Sequence, residues 1–305
     1  MEWIDINKVK KIMGYNDEID STKDYSEWSI KGTKKYSPSQ PTIHQLPAGF
    51  YEVDEDSYGI HLELKGVNTD ELYTLPSDEL LDILNDIVAF WEKEEQYKEY
   101  KFVHKRGILM YGEPGNGKSG IIQLITKNLI EERNGIVINI RNAESLERYS
   151  KIITPFRSIE PNRPIVVILE DLDAMLEEDS WITSTALNLL DGVKQINNVV
   201  YIATTNYPEK LEERVANRPS RFDRRYEIKL PNPKIREEYI RHKLTEKDLE
   251  SIDVQKWVDS TEGMSLSHLK ELIISVVVLG KTFEESLDKL NGLKIKIKST
   301  KEMGL

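Results

Sequence analysis

The stretch Gly112-Glu113-Pro114-Gly115-Asn116-Gly117-Lys118-Ser119, followed by Gly120, restricts what this chain can fold into more than any other feature. An apolar run, Gly107 to Tyr111, precedes it and reads as a short buried strand. Ile121, Ile122, Leu124, Ile125, Leu129 and Ile130 follow at helical spacing. Strand, glycine-rich turn and helix start, in that order, predict a phosphate-binding loop. Glycines let successive backbone N–H groups converge on phosphate oxygens, and the helix dipole adds positive potential there. Lys118 is expected to reach the β- and γ-phosphates and the Ser119 hydroxyl to hold Mg²⁺. A chance glycine-rich turn before a helix would not come with both flanks of the required type. The stretch predicts a nucleoside triphosphate site lined by residues 112 to 120.

Composition narrows the rest. A chain of 305 residues allows two domains, or one large domain with extensions, and either can bury a real core. No cysteine occurs, which excludes a disulfide framework, a thiolate metal site and a cysteine nucleophile, and fits a reducing compartment. Met1 to Asp5 lacks the basic start and apolar core of a signal peptide. The longest apolar runs, Ile165 to Leu169 and Ile273 to Leu279, are too short to span a bilayer. A cytoplasmic location without a membrane segment is expected. The net charge of −11 argues against a broad grip on nucleic acid. Basic clusters at Lys31 to Lys35 and Lys294 to Lys301 read as solvated faces.

Taken in order, residues 1 to about 45 are polar, with Trp3, Tyr25 and Trp28 suggesting partial order. Phe50 to Val53 and Gly59 to Leu64 flank a turn and predict a hairpin. Ser77 is a candidate cap for a helix whose face is Leu80, Leu81, Leu84, Ile87, Val88 and Trp91. Further strands are expected at 136–140, 165–169, 199–203 and 226–230, with a helix around Ser184 to Leu190 and Asn134-Gly135 closing the helix after the loop. Strands alternating with helices predict an α/β fold, a doubly wound parallel sheet covered on both faces. Past Pro231 and Pro233 the pattern turns helical. Three regions follow: an N-terminal region 1–75 with the hairpin, an α/β domain 76–231, and a helical part 232–305.

The chemistry-bearing residues fall at the carboxyl ends of the expected strands, where ligands sit in such sheets. Glu170 and Asp171 close the third strand. Glu170 is assigned to the metal, directly or through a water, and Asp171 to the water that attacks the γ-phosphate. The plainer reading is an acidic cap for the next helix, which suits Asp173. Asn206 ends the fourth strand, placed for the γ-phosphate or the lytic water; Asn before Tyr207-Pro208 also suits a simple turn. Arg218 and Arg221 flank Pro219-Ser220 as a cationic ridge. They either pair with Glu212, Glu213 or Asp223, or stabilise a phosphoryl group in transfer.

These residues together resemble the AAA family of AAA+ ATPases over roughly residues 100 to 280; Thr204 to Asp223 is similar to that family's second region of homology. The resemblance implies Mg-ATP as cofactor and ATP hydrolysis, with Asn206 as sensor and Arg218 and Arg221 as fingers on a neighbour's nucleotide. It also implies a homo-oligomeric ring, usually of six subunits, and makes residues 232–305 the lid. Gly263-Met264-Ser265 with Leu269 is similar to the segment closing over base and sugar. Two departures stand out. The acid pair is Glu then Asp, the inverse of the usual order, as in the subgroup containing the mitochondrial translocase of the Rieske protein. The pore-loop region offers Arg148-Tyr149-Ser150-Lys151 without a glycine, so Tyr149 either grips a threaded peptide or simply packs. The expected function is remodelling of a macromolecule, a protein rather than nucleic acid. A clamp-loader-type ATPase on DNA and an ATP-gated scaffold with little hydrolysis are the alternatives.

Overall fold

The computed structural model describes residues 27–31, 35–39, 42–57, 59–66, 78–177, 196–211 and 221–302, with positions 184, 186, 189 and 190 in addition. The chain divides into two compact units, Met1–Leu46 and Pro47–Leu305. In the first, β1 (Glu27–Lys31) and β2 (Lys35–Ser39) form an antiparallel pair with Glu27 opposite Ser39. Trp28 lies in β1, whereas Trp3 and Tyr25 fall outside the described residues.

The second unit holds a seven-stranded sheet. Its strands are β3 (Gly49–Asp56), β4 (Gly59–Lys65), β5 (Lys105–Tyr111), β6 (Ile136–Ile140), β7 (Ile165–Leu169), β8 (Val199–Thr205) and β9 (Arg224–Glu227). Their order is β4-β3-β6-β7-β8-β5-β9, parallel throughout except for the β3–β4 hairpin. All five residues of β7 and all seven of β8 are buried, the unbroken apolar reading of strands covered on both faces.

The helices are α1 (Asp78–Glu92), α2 (Glu94–Glu99), α3 (Lys118–Arg133), α4 (Ala143–Ile159), α5 (Leu172–Glu177), α6 (Pro233–Lys243), α7 (Glu246–Ser251), α8 (Val254–Ser260), α9 (Leu266–Ile273) and α10 (Phe283–Glu302). α1 and α3 share one core with Ile108, Val166, Val200 and Ile202. α4 covers the opposite face, because Tyr201 alternates with Val200 and Ile202 along β8 and its hydroxyl lies 3.3 Å from that of Tyr149. α3 stops where Asn134 turns left-handed at φ 49° and the Gly135 N–H bonds the Leu129 carbonyl. α6 to α10 bury a separate core in which Trp257 stacks on Phe283 at 5.1 Å. Arg236 ties that core to the sheet domain by donating to the carbonyls of Pro231 and Val258. The α/β fold with C-terminal helices is as expected.

Four details differ from the sequence reading. The hairpin is not part of a separate N-terminal region, because β3 pairs in parallel with β6 from Gly49↔Ile136 to Glu52↔Asn139. The compact unit therefore begins near Pro47 rather than at residue 76. β9 covers 224–227 rather than 226–230: the Ile228 carbonyl turns away to accept from Asn116 Nδ2 at 3.2 Å. The buried face of α1 includes Ile83 and Phe90, while Leu81 is 49 % exposed. Ser77 and most of the expected 184–190 helix lie outside the described residues.

Candidate functional site

The cleft of about 410 Å³ at the carboxyl ends of β5, β7 and β8 brings together residues from four parts of the chain. Gly112, Gly115 and Gly117 adopt φ of 148°, 82° and 96°, values open to glycine and rarely to other residues. They lay the loop backbone around the start of α3, whose N-terminus no side chain caps. Packing reinforces the requirement. A Cβ at Gly112 would meet the Ile228 carbonyl at 2.3 Å, and one at Gly115 would meet Ser267 at 2.7 Å. Pro114, Gly115, Gly117, Lys118, Ser119 and Gly120 line the cleft. Gly112, Glu113 and Asn116 support the loop instead: the carbonyls of the first two accept from Lys118 Nζ at 2.7 and 3.1 Å. Asn116 anchors the loop to Ile228.

Lys118 is buried, and burial lowers its pKa against the opposing pull of Asp171 and Asp173. Folded over its own loop, it faces the acids across the place where a phosphate chain would lie. Glu170 and Asp171 follow β7 and both line the cleft. Burial, with the neighbouring Asp171 second, pushes the Glu170 carboxyl up. Asp171 sits in the left-handed region at φ 49°. Asn206 Nδ2 donates to its Oδ1 at 3.2 Å, so the expected base and the expected sensor touch. Asp173 lies in the first turn of α5 and, beyond the capping part expected of it, accepts from the buried Thr205 hydroxyl at 2.6 Å.

The arginine ridge is only partly visible. Arg218, with Glu212 and Glu213, lies outside the described residues. Arg221 is 4 % exposed and engaged within its own subunit. Its carbonyl would lie 1.9 Å from a Cβ at Gly107, whose N–H donates to Asp223 Oδ2 at 2.7 Å. This corrects the expectation that Arg221 reaches a neighbour's nucleotide: the segment is clamped on β5 and its guanidinium is covered. For Tyr149 the structure favours packing over grip. It is fully buried, because α4 runs unbroken through the region and directs Leu146, Tyr149, Ile153 and Phe156 onto the sheet. It offers no grip on a passing peptide.

From the helical part, Met264 and Leu269 point into its own core, and the cleft is faced by Tyr239, Leu266, Ser267 and Lys270. The Ser267 N–H donates to the Gly115 carbonyl at 3.2 Å, so α9 docks directly on the phosphate loop. Helical spacing around Leu269 could have located this face; nothing in the sequence singled out Tyr239 or Thr204. Ser119 and Glu170 offer oxygen donors of the type Mg²⁺ takes, and both line the cleft beside Lys118. Two protein oxygens fit an ion that keeps phosphate and water ligands; the donor set suits Mg²⁺.

Residues 108–230 match the family model described as "ATPase family associated with various cellular activities (AAA)". The chain is 30% identical over 251 residues to "ATP-dependent zinc metalloprotease FtsH 2" of Thermoanaerobacter sp., covering 74% of this chain and 48% of that protein. It is 28% identical over 220 residues to "Cell division cycle protein 48 homolog" of Archaeoglobus fulgidus, covering 65% and 29%. It is 28% identical over 218 residues to "AAA ATPase forming ring-shaped complexes" of Bifidobacterium dentium, covering 64% and 40%. The chain thus spans less than half the length of each of these relatives. No H-E-x-x-H zinc-protease run occurs in the 305 residues. The matched stretch begins inside β5 and ends just past β9, so it takes in the loop, both acids and Asn206, and this part of the chain is an AAA-family ATPase domain.

Proposed function

We propose that the cleft binds ATP with its β- and γ-phosphates between Lys118 and the acid pair, and that hydrolysis there drives remodelling of a protein substrate by a homo-oligomeric ring. The observation that carries the reading is one juxtaposition. A glycine loop with a buried lysine faces Glu170, Asp171 and Asn206 at adjacent strand ends. Asp171 takes the proton of the attacking water as its oxygen bonds the γ-phosphorus and the bond to ADP breaks. Asn206 orients that water or the γ-phosphate. Ser119 and Glu170 hold Mg²⁺, which when bound neutralises charge on the phosphate oxygens. The Ser267–Gly115 contact supports a lid role for the helical part, with α9 resting on the loop that would hold the phosphates.

A neighbouring subunit completes the site in this reading. Arg218 is the finger, and Arg221 anchors the segment that presents it. The relative named for ring-shaped complexes supports a ring, and the acidic net charge supports a protein over nucleic acid as substrate. Tyr149 is withdrawn as a pore residue. Asp171→Asn tests the reading directly. ATP affinity should stay within a few-fold while turnover falls about a thousandfold or more, since the amide keeps the shape and cannot act as a base. Turnover near the wild-type rate would overturn the assignment of Asp171. Loss of turnover in Glu170→Gln alone would exchange the two roles.

A further inference from the structure

The two threonines at the end of β8 do different work. Successive strand residues point to opposite faces, and here the alternation separates two acids. Thr205 is fully buried, donates to Asp173 and accepts from the Tyr207 N–H, which fixes the turn after the strand. Thr204 faces the cleft from beside Asn206, and its Oγ1 accepts the backbone N–H of Asp171 at 3.2 Å.

Asp171 needs such a tether. Its backbone is left-handed, a conformation that L residues other than glycine avoid and aspartate tolerates when its groups find local partners. Three partners hold it. The Thr204 hydroxyl takes its N–H, the Met175 N–H bonds its carbonyl at 3.2 Å, and Asn206 Nδ2 holds its carboxylate. Two of these come from the same strand end, and parallel pairing of β7 with β8 sets their height, Leu169 standing opposite Ala203. An aspartate is one methylene shorter than a glutamate, so backbone placement, not side-chain reach, decides where its carboxylate lies.

We infer that Thr204 is a positioning residue for hydrolysis: its hydroxyl pins the left-handed turn of Asp171 and so sets the carboxylate of the short acid at the attacking water. The inference rests on the reading of Asp171 as the base. A carboxylate displaced by an ångström costs on the order of a hundredfold in rate, while groups that bind the phosphates are untouched.

The test is ATP turnover and ATP affinity of the full chain carrying Thr204→Val, Thr204→Ser and Asp171→Asn. Valine keeps the branched shape in the strand and removes the hydroxyl; Thr204→Ala removes it as well and replaces the valine variant if that one fails to fold. The expected result is a fall in kcat of about thirty- to a hundredfold with KM and ATP affinity within about threefold, and recovery by serine to within about threefold of wild type. In Thr204→Val/Asp171→Asn no further loss beyond Asp171→Asn is expected, because both changes act through one carboxylate. Wild-type kcat in Thr204→Val beside an inactive Asp171→Asn overturns the inference and leaves the base assignment standing. Failure of serine to restore kcat, or a further loss in the double variant, also overturns it, since the threonine would then act by packing or independently. Wild-type kcat in Asp171→Asn removes the base assignment and the inference with it.

Discussion

At the scale of single residues, the site depends on a lysine kept where water does not favour it. Lys118 is buried and its pKa lowered, with two backbone carbonyls as its hydrogen-bond partners. A phosphate chain would replace neutral acceptors with charged ones, which bind about twice as strongly. Lys118→Ala is therefore expected to weaken ATP binding more than about a hundredfold, the loss of two charge-assisted bonds at roughly 1.5–3 kcal/mol each. Calorimetric titration with ATP checks this; affinity near wild type would remove the phosphate-loop reading. The loop, the acids and Asn206 were legible in the sequence because glycine freedom, cation type and strand-end position are local properties. Arg221 was misread because the sequence carries no record of what lies above a side chain. Its burial, with its backbone held against Gly107, emerges only in the folded chain.

Among elements, α4 is the instructive one. Its residues 148–151 sit where a pore loop was sought, yet Asn142 and Ser145 cap the helix reciprocally and it continues without interruption to Ile159. Arg148 is spent on the β3–β4 hairpin, 3.3 Å from Asp54. Tyr149 lies beneath, paired with Tyr201 across to β8. Burial raises both phenols, Tyr201 to about 12. A raised acid keeps its proton longer in the folded state, so its contribution to stability is complete below the ordinary tyrosine value near 10. It is lost as pH rises from there toward 12. Urea unfolding between pH 8 and 11 should show stability falling above about pH 10 in the wild type and falling less in Tyr149→Phe/Tyr201→Phe. Removing both hydroxyls together should cost little at pH 7, since neither is left unpaired. Tyr149→Ala should cost about 3–5 kcal/mol, the range for truncating a large core aromatic. A tyrosine that gripped substrate from a loop would cost far less.

At the largest scale, the second unit joins a sheet domain to the C-terminal helices through the Arg236 clasp on Pro231, with Ser267 resting on the loop. Shared sites make assembly measurable in the proposed ring. Turnover per subunit should rise with protein concentration, and Arg218→Ala should lower it by a factor on the order of a thousand. Mixing Arg218→Ala with Asp171→Asn subunits should restore part of the activity, because some interfaces then join an intact base to an intact finger. Full turnover from a strictly monomeric preparation would rule out the shared site. Arg221→Ala should instead lower the melting temperature, since it opens a buried position, and its effect on turnover should follow from lost folding.

What the sequence determined by itself is the chemistry and the alternation. Gly112 to Gly120, the Glu170-Asp171 pair and Asn206 announce a triphosphate site, and the apolar runs at 136–140, 165–169 and 199–203 announce buried parallel strands. Those signals survive because they depend on residue type and spacing along one segment. Tertiary structure decided which neighbours each segment meets. It attached the 49–65 hairpin to β6, ended β9 early at Asn116's demand for the Ile228 carbonyl, covered Arg221, turned Tyr149 inward and brought Thr204 under Asp171. Each of these is a contact between residues far apart in the chain, and no local pattern encodes the distance between two strand ends until the sheet has formed.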